Sequence, residues 1–401
     1  MKDKGFLTWV IFLHVVVLLL VVMNLFLLFR PPTVVHGANV APVGSKDTSK
    51  LDQLETLIDE KYIGDPDMTE LEDMAAAAMV AATGDRWAYY IPADAYKAHQ
   101  EIMANAYVGI GVVIYKEKNT TEGLYIQQVE ENSPAQEAGI LPGDILYTVK
   151  GLPVKDMSMD DTRNLIRGQE GTTVELSVLR NGEEIPMTVE RRTIQTVVAS
   201  GRMVTEEIGL VTIKNFDERC SSEAISAIEQ LQQQGAKKIL FDVRNNPGGY
   251  AHELVALLDY LLPEGDLFRT EDYLGNKQVD TSDASYLDMP MAVMVNGNSY
   301  SAAEFFAAAL RDYDAGLIIG DKTTGKGHFQ QTFLLKDGSA VNISVGKYST
   351  PKGVNLDGVG LVPDVEVPVD EDTALAIAGG NLEDEKDPQL QAAIAALEKE
   401  N

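Results

Sequence analysis

The sequence predicts a multidomain α/β protein, α+β overall, with an N-terminal transmembrane helix, a helical region, a β-rich domain and an α/β core. Three observations lead to this fold class. The 401 residues exceed what one ordinary domain needs. A long apolar run without charge stands near the N-terminus. Beyond it, the apolar spacing changes from helical, to short alternating strands, to strands that alternate with helices.

The composition excludes several classes of function. Hydrophobic residues make up 45% of the chain and charged residues 23%, as in globular proteins. The net charge of -28 repels phosphate backbones, which excludes a nucleic-acid partner. The single cysteine, Cys220, excludes a disulfide framework, and we interpret it as a small packing residue. The histidines are scattered without a His-Glu-x-x-His motif, which disfavours a metal site. No organic cofactor is expected either.

The apolar run from Phe6 to Phe29 is predicted to anchor the chain in a membrane. It has 24 residues without a formal charge, and a helix of that length spans about 36 Å. The apolar region of a cleavable signal peptide is shorter, about 7–15 residues. Lys2 and Lys4 precede the run, so the positive-inside rule favours a cytoplasmic stub over residues 1–5. We therefore expect a single-pass signal anchor at 6–29 in the cell membrane of a bacterial-type envelope, with the remaining chain outside the cytoplasm.

Two segments of different character follow the anchor. Residues 30–45 lack helical periodicity and are predicted to be a tether. From Lys50 onward, leucines recur at helical spacing, which predicts a small helical region over 46–105. This region is either a dimerisation arm, which would make the protein a homodimer, or a cap that packs on the core.

Residues 106–193 are predicted to form a β-rich domain. Its motifs are Gly109-Ile110-Gly111, Ser133-Pro-Ala-Gln-Glu-Ala-Gly139 and Pro142-Gly-Asp144. Together with the alternating strands, these motifs resemble a PDZ domain. In such a domain the amides of Gly109, Ile110 and Gly111 would hold a terminal carboxylate while a peptide adds a strand to the sheet edge. The alternative is that these glycines only make a tight turn.

The α/β core is predicted over residues 194–370, followed by a C-terminal helical tail at 371–401. Three loops rich in glycine and polar residues each follow an apolar strand. They are Arg244-Asn-Asn-Pro-Gly-Gly249, Asn296-Gly-Asn-Ser-Tyr-Ser-Ala-Ala-Glu304 and Thr324-Gly-Lys-Gly-His-Phe-Gln330.

These loops supply the candidate catalytic groups. Ser301 stands at a strand-to-helix turn, with Glu304 at capping-box spacing, and helix-start amides there favour an oxyanion. Lys326 is one candidate base, because burial would lower its pKa from about 10.4 towards 7, at a cost of roughly 4–5 kcal/mol. Gln330 could hold the lysine amine. The amides of Gly248, Gly249 and Ala302 are candidate oxyanion donors.

Other interpretations of the same residues remain open at this point. Ser301 by itself is typical of a helix N-cap, and Lys326 of a solvated loop lysine. His328 or His252 could serve as the base of a Ser-His-Asp triad. The absence of a Gly-x-Ser-x-Gly elbow around Ser301 disfavours that triad.

The order of these motifs resembles that of the carboxyl-terminal processing peptidases, or tail-specific proteases. The resemblance implies an α/β core of the crotonase-like, tail-specific protease type. It implies that Ser301 is the nucleophile, Lys326 the general base and Gln330 the residue that positions the lysine, with oxyanion amides at Gly248 and Gly249. Tyr300 and His328 depart from the family's pattern, which has small residues there.

The function implied is that of a membrane-anchored, extracytoplasmic serine endopeptidase that processes or degrades proteins through their C-terminal tails. The PDZ-like domain would capture proteins or peptides with apolar tails and regulate access to the active site. The alternative is a catalytically silent PDZ scaffold that binds the C-termini of its partners.

Overall fold

The computed structural model describes residues 49–116 and 122–400. The chain divides into two units, with the boundary between Met68 and Thr69. In the first unit, helix α1 (Lys50–Lys61) begins with a reciprocal capping box between Ser49 and Asp52. The predicted cytoplasmic stub, anchor and tether lie outside the described residues. None of the described helices is long and apolar enough to cross a bilayer.

The segment up to residue 105 also contains a strand. Helices α2 (Met68–Ala81) and α3 (Ala93–Met103) flank strand β1 (Tyr89–Ile91). This strand pairs antiparallel with the core strand Ala340–Ser349. The predicted helical region over 46–105 thus also contains strand β1. The sequence did not indicate this strand, because three residues are too few to show alternation and its partner is distant in sequence. Of the two roles considered for the region, the part around β1 packs on the core.

The β-rich domain contains a six-stranded antiparallel sheet, a separate two-stranded sheet and two short helices. Its strands and helices are β2 (Ala106–Gly109), β3 (Val112–Tyr115), β4 (Leu124–Val129), α4 (Pro134–Glu137), β5 (Ile145–Val149), β6 (Leu152–Pro153), α5 (Met159–Ile166), β7 (Thr173–Arg180), β8 (Glu183–Glu190) and β9 (Arg192–Gln195). The sheet order is β3-β4-β5-β7-β8, with β6 on β5, and β2 pairs with β9 separately. Strand β3 is thus an edge strand, and its free side is available for another strand.

The core contains two sheets. Its elements are β10 (Ala199–Met203), β11 (Ile208–Ile213), α6 (Cys220–Gln233), β12 (Lys238–Asp242), α7 (Ala251–Leu261), β13 (Gly265–Asp272), β14 (Lys277–Ser282), β15 (Met291–Val295), α8 (Ala302–Asp312), β16 (Gly316–Gly320), β17 (His328–Leu334), β18 (Ala340–Ser349) and β19 (Val365–Glu366). The first sheet has the order β10-β11-β12-β15-β16-β19 and is parallel from β11 onward. The second has the order β1-β18-β13-β14, with β17 paired to β18.

The parallel sheet is buried on both faces, as its apolar strands require. All five residues of β15 are buried. Helices α6, α7 and α8 pack on one face, where Phe241 and Phe306 meet at 5.1 Å. On the other face lies α10 (Pro388–Lys399), preceded by α9 (Glu371–Ala378), and Leu390 packs on strand residues such as Leu240. The C-terminal tail is therefore part of the core's packing.

This topology brings the three predicted loops together. Strands β12, β15 and β16 are adjacent and parallel, and each of the three loops follows the carboxyl end of one of them. Carboxyl ends of parallel strands meet at one edge of a sheet, which is where open α/β folds place their sites. The fold thus gathers the glycine loop, the Ser301 turn and the Lys326 loop at a single edge.

Candidate active site

Ser301 lies at a strained turn between β15 and α8. Its φ of 58° and ψ of -127° fall in a region that non-glycine residues rarely adopt. Strain of this kind persists only where the surroundings hold it in place, and it clusters at functional sites. The Ser301 and Tyr348 hydroxyl oxygens lie 3.0 Å apart, within hydrogen-bond distance.

Glu304 connects the Ser301 turn with the Lys326 loop. Its carboxylate is fully buried and accepts from the amides of Ser301 at 3.0 Å, Gly325 at 2.7 Å and Lys326 at 2.9 Å, and from the Thr323 hydroxyl. Burial raises the pKa of Glu304, and these four donors act in the opposite direction. Four donors and no acceptor are what an ionised carboxylate prefers. Glu304, predicted as a capping-box residue, therefore also links the Ser301 turn to the Lys326 loop.

The Lys326 amine is buried against aromatic rings. Desolvation lowers the pKa of Lys326 to about 8, although the charges of Asp85 and Glu304 act in the opposite direction. Its Nζ lies 4.9 Å from the Trp87 ring centroid and 5.9 Å from that of Tyr300. No hydrogen bond from this amine to Ser301 is present among the described residues. The pKa of Lys326 is therefore closer to neutral pH than that of an ordinary lysine, which raises the fraction of neutral amine.

The aromatic rings over Lys326 come from two distant segments. Trp87 stacks on Tyr300 with ring centroids 5.5 Å apart. The neighbouring Arg86 lies 4.4 Å from the Trp87 ring and donates to the Gly325 carbonyl at 2.9 Å. Tyr300, which departs from the family's pattern, is thus the stacking partner of Trp87. Nothing in the sequence around Trp87 indicates this contact, so the residue could not be predicted as part of the site.

Tyr348 is a second residue that sequence reasoning missed. It lies on β18, and its hydroxyl reaches both the Ser301 hydroxyl and the Lys326 carbonyl, at 3.0 and 2.8 Å. Its ring packs edge-on against Phe305 at 4.3 Å. Burial raises the pKa of Tyr348, which keeps the phenol protonated and able to donate. Since Tyr348 belongs to the second sheet, no motif near the predicted loops could have identified it.

The glycine loop lies directly against the serine. Gly248 has a φ of +88°, and a Cβ there would lie 2.7 Å from the Ser301 Cβ and 2.8 Å from the Ala302 nitrogen. The Gly248 amide donates to the Asn246 side chain at 2.8 Å, so it does not serve as the free oxyanion donor that was predicted. The amides of Gly249 and Ala302 make no hydrogen bond within the described residues. These two amides are the ones available to an oxyanion.

Gln330 and the two candidate histidines have other partners. The Gln330 amide group donates to the His328 carbonyl at 2.9 Å and to the Ser344 hydroxyl at 3.1 Å rather than to Lys326. His328 pairs with Asp357 at 3.0 Å, and His252 is largely exposed beside Glu253. In the part of the chain that the structure describes, neither histidine is hydrogen-bonded to Ser301. Both histidines instead lie beside carboxylates.

The remaining titratable candidates have structural roles. Burial raises the pKa of the Cys220 thiol, which keeps it protonated and fits its interpretation as a packing residue. Of the described residues, Glu218, His252 and Glu253 bring ligand atoms within 4.8 Å of one another. The Glu253 carboxylate already accepts from the Ser221 amide at 2.7 Å and the Arg219 amide at 3.1 Å at the start of α6. We therefore interpret this group as a helix cap.

The predicted peptide-binding residues line a groove in the β-rich domain. The groove has a volume of about 240 Å³ and is lined by Gly109, Ile110, Gly111 and β3 on one side and by α5 on the other. The amides of Ile110 and Gly111 make no hydrogen bond within the described residues. Amides of this kind at one end of an edge strand suit a terminal carboxylate.

Comparison with known proteins places the chain in a family. The sequence matches the family models of Peptidase family S41 over residues 207–367 and of the PDZ domain over residues 125–180. A CtpA-like serine protease of Staphylococcus aureus strain COL is 30% identical over 335 residues, which cover 82% of this chain and 67% of the relative. The chain belongs to peptidase family S41. The expected resemblance to the carboxyl-terminal processing peptidases is thereby confirmed.

Other S41 relatives agree with this assignment. A CtpA-like serine protease of Staphylococcus aureus strain N315 is 31% identical over 323 residues, covering 80% of this chain and 64% of the relative. The chain thus spans just under two thirds of that relative's length. A solved Bacteroides fragilis structure assigned to the S41 proteases has a TM-score of 0.52 and 17% identity, and the match covers 90% of this chain and 99% of that one. This likeness supports the fold.

Proposed function

We propose that this chain is a membrane-anchored serine endopeptidase that cleaves proteins captured by their C-terminal tails. Ser301 is the nucleophile and Lys326 the general base. The observation that carries the proposal is the buried Glu304 carboxylate, which binds the amides of both Ser301 and Lys326. A silent scaffold would have no need to bury a carboxylate and a lysine side by side, since each burial costs free energy.

The proposed reaction begins when the Lys326 amine leaves the aromatic rings and reaches the Ser301 hydroxyl. The neutral amine accepts the hydroxyl proton as the oxygen attacks the scissile carbonyl carbon. The amides of Gly249 and Ala302 donate to the resulting oxyanion. The Lys326 ammonium then protonates the departing amine, and the neutral lysine activates a water that hydrolyses the acyl-enzyme.

The test of this role is loss of cleavage in single variants. The full chain is solubilised in detergent and incubated with an unstructured protein that ends in apolar residues, and fragments are quantified by mass spectrometry. Ser301→Ala and Lys326→Ala should each lower kcat at least about 1000-fold, as when a member of a nucleophile–base pair is removed. His328→Gln and His252→Gln are the matched controls and should retain substantial activity. Cleavage by either of the first two variants at the wild-type rate would refute the proposal.

The pH dependence of kcat/KM should reflect the pKa of Lys326. Because its pKa is about 8 and only the neutral amine accepts a proton, kcat/KM should rise with pH with a midpoint near 8 and level off about one pH unit higher. The profile is measured from pH 6 to 9.5 at constant ionic strength with a peptide that does not titrate in this range. A midpoint near 6.5, the ordinary pKa of histidine, would point to His328 or His252 instead.

The location of the protein forms part of the same proposal. The uncharged run Phe6–Phe29 would hold the chain in the membrane, with the acidic remainder outside the cytoplasm. Membrane fractions and protease accessibility of intact cells test this arrangement. Recovery of the full-length chain in the cytosolic fraction would contradict it.

A homodimer through the N-terminal helical region is proposed on the exposed leucines of α1. Leu51, Leu54 and Leu57 are 43%, 48% and 37% exposed and recur at helical spacing. Light scattering of the detergent-solubilised chain should give the mass of two copies, and Leu54→Glu should give that of one. A monomeric wild-type chain would exclude the dimer.

A further inference from the structure

We propose that the groove between β3 and α5 selects tails that carry Asp or Glu two residues before an apolar C-terminal residue, and that Arg163 makes this selection. The inference rests on the proposed capture of tails and names the class of tail. It follows from the direction of the groove, the spacing of residues along α5 and the charge of Arg163.

The direction of a bound tail is fixed by the free amides. The amides of Ile110 and Gly111 precede β3, so a tail whose carboxylate they hold runs antiparallel to that strand along its free edge. The C-terminal end of α5 lies at the same end of the groove, because the Arg167 guanidinium is 5.0 Å from the ring of Tyr107 on β2. The last residue of the tail is therefore placed opposite Ile166.

The helix presents three residues to the groove. Met159, Arg163 and Ile166 all line it, and their spacing of four and three residues puts them on one face of α5. Ile166 is buried and offers an apolar surface to the last residue of the tail. Arg163 lies three residues earlier, about 4.5 Å along the helix axis at about 1.5 Å per residue.

The register of an extended tail then decides which residue meets Arg163. Side chains of a strand alternate, so the last residue and the one two before it face α5, about 6.6 Å apart at about 3.3 Å per residue. Arg163 lies about 4.5 Å from Ile166 along the helix axis, and its long side chain can reach a tail residue that lies about 6.6 Å from the last one. Met159 lies about 10.5 Å from Ile166 along the same axis, which is too far along the tail. The residue before the last, and the one three before it, point away from the helix.

Arg163 can exchange its present ion-pair partner for a ligand carboxylate with little loss of free energy. Among the described residues it forms an ion pair with Asp160 on the same helix, and the two side chains are 53% and 74% exposed. Exposed pairs of this kind contribute little to stability and exchange easily. The second arginine of the groove, Arg167, is held more firmly by Glu101 at 3.4 Å, whose side chain is 21% exposed, and by the Tyr107 ring. Arg163 is therefore the cation that can pair with a ligand.

The experiment measures binding of fluorescein-labelled nonapeptides to the full-length Ser301→Ala chain in detergent by fluorescence anisotropy. Three peptides, each ending in valine, are compared. The first has glutamate two residues before the end, and the second has the same composition with that glutamate three residues before the end. The third is the first peptide with glutamine in place of the glutamate. The first should bind about fivefold more tightly than the other two, the fold-change of an ion pair of about 1 kcal/mol. The first two peptides carry the same net charge, so a general effect of the acidic chain cancels.

Measurements on Arg163 variants test whether this residue causes the preference for glutamate two residues before the end. Arg163→Gln should equalise the three affinities without changing that of the glutamine peptide, and Arg163→Lys should retain part of the preference. Lys155→Gln removes an exposed charge of the same domain outside the groove and should leave the preference intact. Equal affinities of the two glutamate isomers for the unsubstituted groove, or an unchanged preference in Arg163→Gln, would overturn the inference.

Peptides amidated at the C-terminus separate this inference from the proposed capture of tails. If amidation abolishes binding but the glutamate position has no effect, the groove binds tails and only the selection by Arg163 is refuted. If amidated and free peptides bind equally, the groove does not recognise a terminus, and both the capture of tails and the inference are refuted.

Discussion

Glu304→Ala should lower kcat/KM at least about 100-fold and destabilise the fold by about 3 kcal/mol. The substitution leaves the amides of Ser301, Gly325 and Lys326 without their buried acceptor, and each unsatisfied buried group costs about 1–3 kcal/mol. Loss of the link also releases the serine turn from the lysine loop. A misplacement of about 1 Å between reacting groups is enough for a loss of about 100-fold.

The measurement for Glu304 combines peptide hydrolysis with thermal unfolding. Glu253→Ala is the matched control, because Glu253 is also a buried carboxylate that accepts from amides at a helix start, those of Arg219 and Ser221. The Glu253→Ala variant should be less stable than the wild-type chain. When kcat/KM is measured below the unfolding temperature of this variant, it should not show a comparable loss. Wild-type activity in Glu304→Ala would show that the link between the two loops is not needed for catalysis.

Gly248→Ala should also inactivate the enzyme, through a different mechanism. A Cβ at this position would lie 2.7 Å from the Ser301 Cβ and 2.9 Å from the Tyr300 carbonyl oxygen. The backbone would have to move away from the serine turn, and the φ of +88° adds strain for any residue other than glycine. We expect a loss of kcat/KM of about 100-fold or more and a destabilisation of about 1–3 kcal/mol.

The control for Gly248 is Gly275→Ala. Gly275 has a similar φ of +84°, but a Cβ there would meet no atom within 4 Å. This variant carries the backbone strain without the steric overlap, so it should lose some stability and keep its activity. Equal activities of the two alanine variants would show that the close approach of Gly248 to Ser301 has no catalytic consequence.

Much of the site could be predicted from the sequence, because its motifs follow parallel strands. The loops that carry Gly248, Ser301 and Lys326 each come directly after an apolar strand, and neighbouring parallel strands bring their carboxyl ends together. Local sequence was therefore sufficient to place these three loops at one edge of the sheet.

The remaining features depend on contacts between distant segments. Tyr348 reaches Ser301 from the second sheet, and Trp87 reaches Tyr300 from a segment predicted to be helical. The occupation of the Gly248 amide by Asn246 depends on a side-chain rotamer within one loop. Spacing rules describe neither pairing between distant strands nor rotamers, so these contacts required the structure.

The central claim is that Lys326 takes the proton of Ser301. Intact-mass measurement of the labelling rate by a fluorophosphonate, which reacts with activated serines, tests it most directly. The wild-type chain should acquire one label at Ser301, at a rate that rises with pH through about 8, and Lys326→Ala should remain unlabelled. Labelling of Lys326→Ala at the wild-type rate, or a wild-type label at a residue other than Ser301, would contradict the account.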